Sequence, residues 1–378
     1  MEVCLNIQAA VSRAAGVGRY TRNLAQHLAP LAASSGDRLR LFYFDFQGKG
    51  SPPAVPGADL RPFRLLPGRL VEGVWRYLPW PDFTALAGTD SDIYHFPNFV
   101  SPPLRRGRRS VITIHDMSYL RFPRYAEPGN LRRLRRFLPR SAARSDAIIT
   151  ISRFSAAEIA TELGVDPARI HVTYLGVEPR FRPTGDDAVK SMRAELGLDR
   201  PYLLTVGTLE PRKNHIFAVE VWERLGEKFD GLLAVAGSTG WRAEPILERF
   251  KNSPRAGDIR LLSYVPEDLL PALYSGAEAL LFPSLYEGFG LPPLEALACG
   301  TPVVSSEGGA LPEILDTPAV VRPGVLDVEA WRDAVENLLG EDCLRRRERR
   351  ETGRQYAARF SWAETARMTW EVYRGLLA

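Results

Sequence analysis

Short apolar runs alternate with amphipathic stretches along the whole chain. Several runs place apolar side chains at consecutive positions, which is typical of parallel strands covered on both faces. In the stretches between them, apolar residues recur at spacings of three and four, which predicts helices; Val17, Tyr20, Leu24, Leu28 and Leu31 show the pattern. The predicted strands are Val3–Ile7, Arg40–Phe44, Ile93–Phe96, Val111–Ile114, Ala147–Ile151, His171–Leu175, Tyr202–Val206, Leu232–Ala236, Ile259–Leu262, Ala279–Phe282 and Pro302–Ser305. This alternation predicts an α/β fold with parallel sheets.

A segment rich in proline and glycine, Gly176–Gly185, divides the strands into two series. Each series is long enough for a Rossmann-like domain, and we expect ligands at the carboxyl ends of the strands, in a cleft between the domains. The predicted domains are residues 1–177 and 178–360, with the aromatic helix 361–378 joining the first. Gly48–Pro67 is also rich in proline and glycine, which predicts a surface loop.

Composition excludes several classes of protein. The chain has 378 residues, of which 45% are hydrophobic and 25% charged, so it can bury a core and is not a disordered polymer. It has no run of 18 apolar residues, and we therefore expect no membrane-spanning helix. The three cysteines are far apart, which predicts neither a zinc site nor a disulfide framework and favours a reducing cytoplasm.

The positive charge is concentrated in one region. The net charge is +4, but residues 101–150 hold 12 arginines and only three acidic residues. Within this region, Leu131, Leu134 and Leu138 share one face of a predicted amphipathic helix that extends to Arg144. Such a helix could lie on an anionic membrane surface, or it could be an ordinary solvated surface. Nucleic acid is not predicted as a partner, because no RNA-binding or helix-turn-helix pattern is present.

The segment Ala279–Thr301 combines an apolar strand, a glycine-rich loop and a helix opened by two prolines. The free backbone amides near Phe289, Gly290 and Leu291, at the positive end of the helix dipole, suit an anion such as a diphosphate. Glu287 on the loop and Glu295 on the helix can accept paired hydrogen bonds from hydroxyl groups. The alternative is a loop acid and a helix acid that merely complements the dipole.

A second cluster follows the strand Tyr202–Val206. Gly207 would let the backbone approach a ligand closely, and Arg212 and Lys213 stand before the next predicted helix. A fixed Arg/Lys pair can stabilise the charge of a departing diphosphate without a metal ion. The alternative is a solvated basic pair.

Three features of the first half are candidates for contact with a ligand or a metal ion. Gly16 and Gly18 follow the first strand, and His115 follows the strand Val111–Ile114, where it could bond a sugar hydroxyl. Asp90 and Asp92 form a DxD pattern, but they precede a strand, where a turn or cap role is ordinary. We therefore predict no metal site.

The Ala279–Thr301 segment resembles the E-x7-E signature of retaining glycosyltransferases of the GT-B fold in glycosyltransferase family 4. The resemblance implies two Rossmann-like domains facing each other across a cleft, with the C-terminal helix crossing back to the first. It also implies that Glu287 lies by the donor sugar and that Glu295 binds the nucleotide ribose.

Other segments carry the same resemblance. The run GTLEPRKN, which begins at Gly207, is similar to a mannosyltransferase-like subgroup that often uses GDP-mannose, and it makes Arg212 and Lys213 the diphosphate-binding pair. Many members have Arg where this chain has Thr208. The TIHD stretch implies a place for His115 beside the donor sugar, and the glycine-rich loop implies that Gly16 and Gly18 border the diphosphate and the acceptor.

The expected function is therefore a retaining, metal-independent hexosyl transfer from a nucleoside-diphosphate sugar, with GDP-mannose favoured, and no cofactor. The acceptor would be a glycan or a lipid-linked saccharide in polysaccharide biosynthesis, and the enzyme cytoplasmic or peripheral on the inner face of the membrane. One alternative is a synthase or epimerase of the same fold acting on a soluble nucleotide sugar. The other is a non-catalytic module that binds nucleotide sugars or membranes.

Overall fold

The computed structural model describes residues 1–11, 16–75, 77–324 and 326–378, which form two compact units. The first unit comprises residues 1–117, 128–176 and 362–378. The second comprises residues 118–127 and 177–361. The chain therefore leaves the first unit after Met117, returns to it at Pro128 and ends in it.

The first unit is built on a sheet of seven parallel strands in the order β3-β2-β1-β4-β5-β6-β7. The strands are β1 (Glu2–Asn6), β2 (Arg38–Phe44), β3 (Asp59–Phe63), β4 (Ile93–Phe96), β5 (Arg109–Thr113), β6 (Ala147–Thr150) and β7 (Ile170–Val172). Its helices are α1 (Gln8–Val11), α2 (Gly16–Ser34), α3 (Gly68–Trp75), α4 (Phe83–Ala87), α6 (Pro128–Arg144), α7 (Arg153–Leu163) and α16 (Trp362–Gly375), while α5 (Ser118–Arg121) belongs to the second unit.

The predicted surface loop Gly48–Pro67 is wrong in part, because β3 lies inside it and pairs with β2 from Asp59 to Phe63. β3 is an edge strand, exposed at four of its five residues, and its side chains include Pro62. An edge strand can be exposed, so its sequence need not alternate between apolar and polar residues, and it tolerates proline. The pairing of β3 therefore depends on β2 and not on the sequence pattern of β3.

The second unit has a sheet of six parallel strands in the order β10-β9-β8-β11-β12-β13. They are β8 (Tyr202–Val206), β9 (Leu232–Ala236), β10 (Ile259–Ser263), β11 (Ala279–Phe282), β12 (Val303–Ser305) and β13 (Val320–Val321). The helices are α8 (Asp186–Glu195), α9 (His215–Leu225), α10 (Glu244–Lys251), α11 (Leu270–Ser275), α12 (Leu291–Ala298), α13 (Leu311–Ile314), α14 (Val328–Leu339) and α15 (Cys343–Ala357). The buried faces of β8, β9 and β11 pack against α9 and α14, with Trp222 and Trp331 fully buried among them.

The aromatic C-terminal helix α16 packs on α2 of the first unit, as predicted. Trp362 and Tyr373 are buried, and the ring of Trp362 lies 6.2 Å from that of Tyr20. A chain of buried polar groups secures the contact: Tyr373 Oη is 2.5 Å from His95 Nδ1, and His95 Nε2 is 2.8 Å from Thr113 Oγ1. Buried polar groups must be paired, so this chain fixes how α16 sits on the sheet.

None of the helices in the described parts of the chain combines the length and apolar character needed to span a bilayer.

Candidate active site

The site of interest in the second unit lies where the strand order reverses. β8 pairs with β9 on one side and with β11 on the other, so the connections leave β8 and β11 in opposite directions. Open α/β sheets bind ligands at such a switch point, outside the carboxyl ends of the strands. β8 leads through Gly207 to a 3-10 turn at Pro211–Lys213, and β11 leads to the loop that carries Glu287.

The basic pair and Glu287 meet at this switch point. Lys213 Nζ donates to Glu287 Oε1 at 2.5 Å, and Arg212 Nη1 donates to Glu287 Oε2 at 3.2 Å. Ser284 Oγ donates a third hydrogen bond to Glu287 Oε1 at 2.6 Å. Lys213 and Arg212 precede Glu287 by 74 and 75 positions in the chain, and the three side chains form one ionic cluster.

Two further residues complete the cluster and were not predicted from the sequence. Glu210 Oε1 accepts from Arg212 Nη2 at 2.5 Å, while Arg212 Nη1 also donates to the carbonyl of Tyr286 at 2.7 Å. Ser284 is the other addition. Both lie within three positions of a predicted site residue, which is the one signal that could have found them. Glu210 and Ser284 hold the guanidinium and the carboxylate in place.

Burial and charge set the ionisation of the pair in opposite ways. Burial alone would raise the pKa of Glu287, but Lys213, Arg212 and the hydrogen bonds from Lys213 and Ser284 lower it to about 2. Burial lowers the pKa of Lys213, and Glu287 acts against that change. Glu287 is 8% exposed and ionised at neutral pH, and Lys213 and Arg212 compensate its charge.

The loop that carries Glu287 rests on a glycine pair after β12. Glu287 N donates to the carbonyl of Gly308, and Ala310 N donates to the carbonyl of Glu287 at 2.8 Å. Gly309 has φ +69°, and a Cβ there would lie 2.4 Å from the carbonyl oxygen of Glu287. Only glycine fits this close approach, so the pair fixes the backbone position of Glu287.

Glu295 lies on α12, away from the loop in sequence but in the same segment. It is 2% exposed, and its Oε2 accepts from Tyr274 Oη at 3.0 Å. The helix begins after Gly290, which has φ +107°, and Pro292 and Pro293 occupy its second and third positions. Because prolines have no N–H, the amides of Gly290 and Leu291 are the donors left for an anion at this end.

The side chain of Phe289 packs inside the second unit. Its side chain is 3% exposed and packs edge-on against Phe360, with ring centroids 5.9 Å apart. The ring therefore anchors the loop before α12.

In the first unit, His115 follows β5 and is buried. Its Nε2 is 2.9 Å from the carbonyl of Pro97, and its ring meets that of Tyr20 edge-on at 4.8 Å. Burial lowers the pKa of His115, so the ring is neutral. The neutral ring donates through Nε2 to that carbonyl, which leaves Nδ1 as a hydrogen-bond acceptor.

The predicted glycines of the first unit open α2. Gly16 is exposed, and no heavy atom lies within 4 Å of where its Cβ would be, while Gly18 is buried. Gly16 is therefore not required by packing in the described structure.

Asp90 and Asp92 make structural contacts. Asp92 Oδ2 accepts from the amide of Glu2 at 2.8 Å, and Asp90 pairs with Arg108. Within the described ranges, no group of three or more His, Cys, Asp or Glu side chains is arranged to hold a metal ion.

Comparison with known proteins identifies the family. Residues 189–358 match the family model "Glycosyl transferases group 1", and residues 14–181 match "Glycosyltransferase Family 4". The O-antigen chain mannosyltransferase B of Escherichia coli is 31% identical over 371 residues, which cover 95% of this chain and 96% of that protein. The chain belongs to glycosyltransferase family 4. The glycosyltransferase transfers a sugar from a nucleoside-diphosphate sugar, as its sequence predicts.

Other relatives agree with this assignment. The serotype-specific mannosyltransferase WbdA of Escherichia coli is 28% identical over 71% of this chain and 34% of that longer protein. Among solved structures, sucrose-phosphate synthase from Thermosynechococcus elongatus has a TM-score of 0.76 at 20% identity and covers 100% of this chain and 99% of that one. Anabaena HepE in complex with UDP and glucose has a TM-score of 0.73 at 15% identity and covers 99% of both chains. These likenesses confirm the predicted GT-B fold with two Rossmann-like domains.

Proposed function

We propose that the glycosyltransferase moves mannose from GDP-mannose to a glycan or lipid-linked acceptor in polysaccharide biosynthesis, with retention at the anomeric carbon and without a metal ion. The observation that carries the proposal is the cluster of Lys213, Arg212 and Glu287 at the switch point of the second sheet. The mannosyltransferases among its relatives support mannose as the transferred sugar.

The cluster supports a specific way of binding the donor. Its two cations and the carboxylates of Glu210 and Glu287 balance in charge. A donor diphosphate would compete with Glu287 for Lys213, assisted by the amides of Gly290 and Leu291. Glu287, once displaced from Lys213, would accept hydrogen bonds from hydroxyls of the donor sugar.

Departure of the nucleoside diphosphate builds negative charge on its phosphate oxygens. Lys213 and Arg212 would stabilise that charge, and because Glu210 and the carbonyl of Tyr286 hold Arg212, its guanidinium needs little reorganisation. In the retaining route that we favour, the acceptor hydroxyl attacks on the face that the diphosphate leaves. The departing phosphate would accept the proton of that hydroxyl. Glu295 would hold the ribose, and Nδ1 of His115 would accept from a sugar hydroxyl.

The test is a transfer assay with GDP-mannose, UDP-glucose and ADP-glucose as separate donors and α-mannobiose as acceptor. Mass spectrometry should detect a mannose added from GDP-mannose, and NMR of the product should show the anomeric configuration of the donor. Equal use of the three donors would remove the mannosyl assignment. Binding of GDP without turnover or donor hydrolysis would favour the non-catalytic alternative.

The arginine-rich helix supports a further part of the proposal, namely that the enzyme works at the cytoplasmic face of a membrane with anionic lipids. Arg132 and Arg135 on α6 are exposed, and Arg136 lies 5.8 Å from the ring of Tyr77. Tyr77 belongs to a segment with exposed large apolar side chains, in which Tyr77 is 80% and Trp80 is 73% exposed. Cationic and apolar side chains side by side are typical of interfacial membrane binding.

Replacing Arg132 and Arg135 by Ser should reduce the fraction of the protein that sediments with phosphatidylglycerol vesicles. An unchanged bound fraction would mean that the arginine-rich helix is an ordinary solvated surface.

A further inference from the structure

We propose that a cavity in the first unit binds the phosphate-bearing part of a saccharide acceptor. The cavity has a volume of about 310 Å³. It is lined by residues of α3, by residues 77–79, by residues of α6 and by the ends of β1 and β4. Its volume is at the lower end of the range of small-molecule pockets, roughly 300–1,000 Å³. This inference rests on the proposed function, since it concerns the acceptor of that reaction.

Position in the fold is the first argument. In the seven-stranded sheet the order reverses between β1 and β4, which pair directly. Asn6, the last residue of β1, and Phe96, the last residue of β4, both line the cavity. The cavity thus occupies the topological switch point of its sheet, the same place that the Lys213 cluster occupies in the other sheet.

Charge is the second argument. Arg133, Arg140 and Arg144 line the cavity from one face of α6, together with Phe137, because the spacings of four, three and four place these residues on the same side of a helix. Glu72 is the acidic side chain in the lining, so the cavity carries an excess of positive charge.

These three arginines differ from many others in the molecule. Arg249 bonds Glu223 and Arg349 bonds Glu341, whereas Arg133, Arg140 and Arg144 have neither a hydrogen bond nor an ion pair with any described residue. Guanidinium groups pair with phosphate oxygens through two parallel hydrogen bonds. Three uncompensated guanidinium groups around one cavity therefore point to a phosphate or diphosphate.

The rest of the lining points to a saccharide attached to that phosphate. Trp75, Tyr77 and Phe137 give aromatic walls, and the side chains of Gln8 and Asn98 add amides for hydroxyl groups. Tyr77 and its neighbour Leu78, which is 59% exposed, line the cavity and also face solvent. The phosphate could belong to a free glycosyl phosphate or to one esterified to a lipid, which would leave along these apolar side chains.

The decisive experiment compares two double variants with the same change of charge. Arg140→Gln/Arg144→Gln removes two guanidinium groups from the cavity. Arg347→Gln/Arg350→Gln removes two exposed arginines from α15 in the second unit, which also have no partner among the described residues. Calorimetry with mannose 1-phosphate and with mannose, both in the presence of saturating GDP to occupy the donor site, measures binding outside that site.

We expect the native protein to bind mannose 1-phosphate more tightly than mannose. The cavity variant should bind mannose 1-phosphate roughly tenfold or more weakly than the native protein, because hydrogen bonds to charged groups are lost. The α15 variant should bind mannose 1-phosphate with unchanged affinity. Arg140→Lys/Arg144→Lys, which keeps the charge, should recover part of the affinity. Equal binding of mannose and mannose 1-phosphate, or equal losses in both double variants, would overturn the proposal.

A second arm separates the two sources of phosphate. Phosphatidylcholine vesicles with a polyprenyl phosphate should bind the native protein and not the cavity variant if the ligand is lipid-linked; binding of mannose 1-phosphate alone would indicate a soluble glycosyl phosphate. Unchanged GDP affinity in the cavity variant shows that the protein is folded. Failure of GDP to bind the native protein would instead contradict the proposed function, so the two failures are distinguishable.

Discussion

Replacing Glu287 by Gln removes a buried negative charge and keeps the shape of the side chain. In the native protein this carboxylate accepts from Lys213 at 2.5 Å and from Arg212 at 3.2 Å. A diphosphate must compete with it for the same cations. We therefore expect Glu287→Gln to bind GDP more tightly than the native protein and to transfer mannose more slowly, although most active-site substitutions weaken both.

The contacts of Glu287 and general values for charged hydrogen bonds give the size of both effects. One charged hydrogen bond is worth about 1.5–3 kcal/mol, and the Gln carbonyl keeps part of it. The variant should therefore gain roughly 1–2 kcal/mol in GDP binding, a factor of about 5–30. Loss of the carboxylate beside the donor sugar should lower kcat by about 10²–10³, the range found when one fixed polar group is removed from a transition state.

Calorimetry with GDP measures the first effect, and initial rates with GDP-mannose and α-mannobiose measure the second. Ser284→Ala is the matched control, because it removes a hydrogen bond to the same carboxylate and retains the charge. Weaker GDP binding by Glu287→Gln would refute the competition between carboxylate and diphosphate. Native turnover in the variant would remove Glu287 from the reaction.

Three further outcomes follow from particular contacts. Lys213→Ala should weaken GDP binding roughly tenfold, as measured by calorimetry, because a charged hydrogen bond to the diphosphate is lost; native affinity would place Lys213 outside the site. Gly309→Ala should keep the fold by circular dichroism but lower kcat, since its Cβ would force the Glu287 backbone away; native kcat would show that the loop can adjust. Tyr373→Phe should lower the free energy of unfolding by about 1–3 kcal/mol in urea titrations, because buried His95 loses a hydrogen bond; an unchanged midpoint would make that bond energetically neutral.

The ionisation of Glu287 also predicts how stability depends on pH. Its pKa is about 2 in the folded protein against an ordinary value of 4.5, which corresponds to on the order of 3 kcal/mol. This contribution is complete above pH 4.5 and is lost as the pH falls towards 2. The difference in free energy of unfolding between the native protein and Glu287→Gln should therefore grow as the pH rises from 2 to 4.5. A difference that does not change over this interval would contradict the low pKa.

Patterns that repeat within a short window were sufficient for most of the fold. Continuous apolar runs located Ile93–Phe96, Tyr202–Val206, Leu232–Ala236 and Ala279–Phe282 with the bounds that the structure has. These strands are buried on both faces, so most of their side chains must be apolar, whichever neighbours they have, and His95 and Thr205 are the buried polar exceptions among the four. The helix α6 was predicted from another local pattern, apolar residues that recur on one face of a helix.

Features that depend on a partner were not predictable. β3 exists because β2 offers it an edge, and its own side chains are mostly exposed. Hydrogen bonding at an exposed sheet edge is decided by the neighbouring strand as much as by the residue types of the edge strand itself.

By itself, the sequence determined the α/β class, the division into two series of strands and the residue types of the candidate site, because burial periodicity and short motifs are local properties. Only the tertiary structure decided that Glu287 would share Lys213 and Arg212, that Glu210 and Ser284 would brace them, and that three arginines of α6 would surround one cavity. The physical reason is that strand order determines which loops meet at a switch point, and strand order depends on pairing between residues that are distant in the chain.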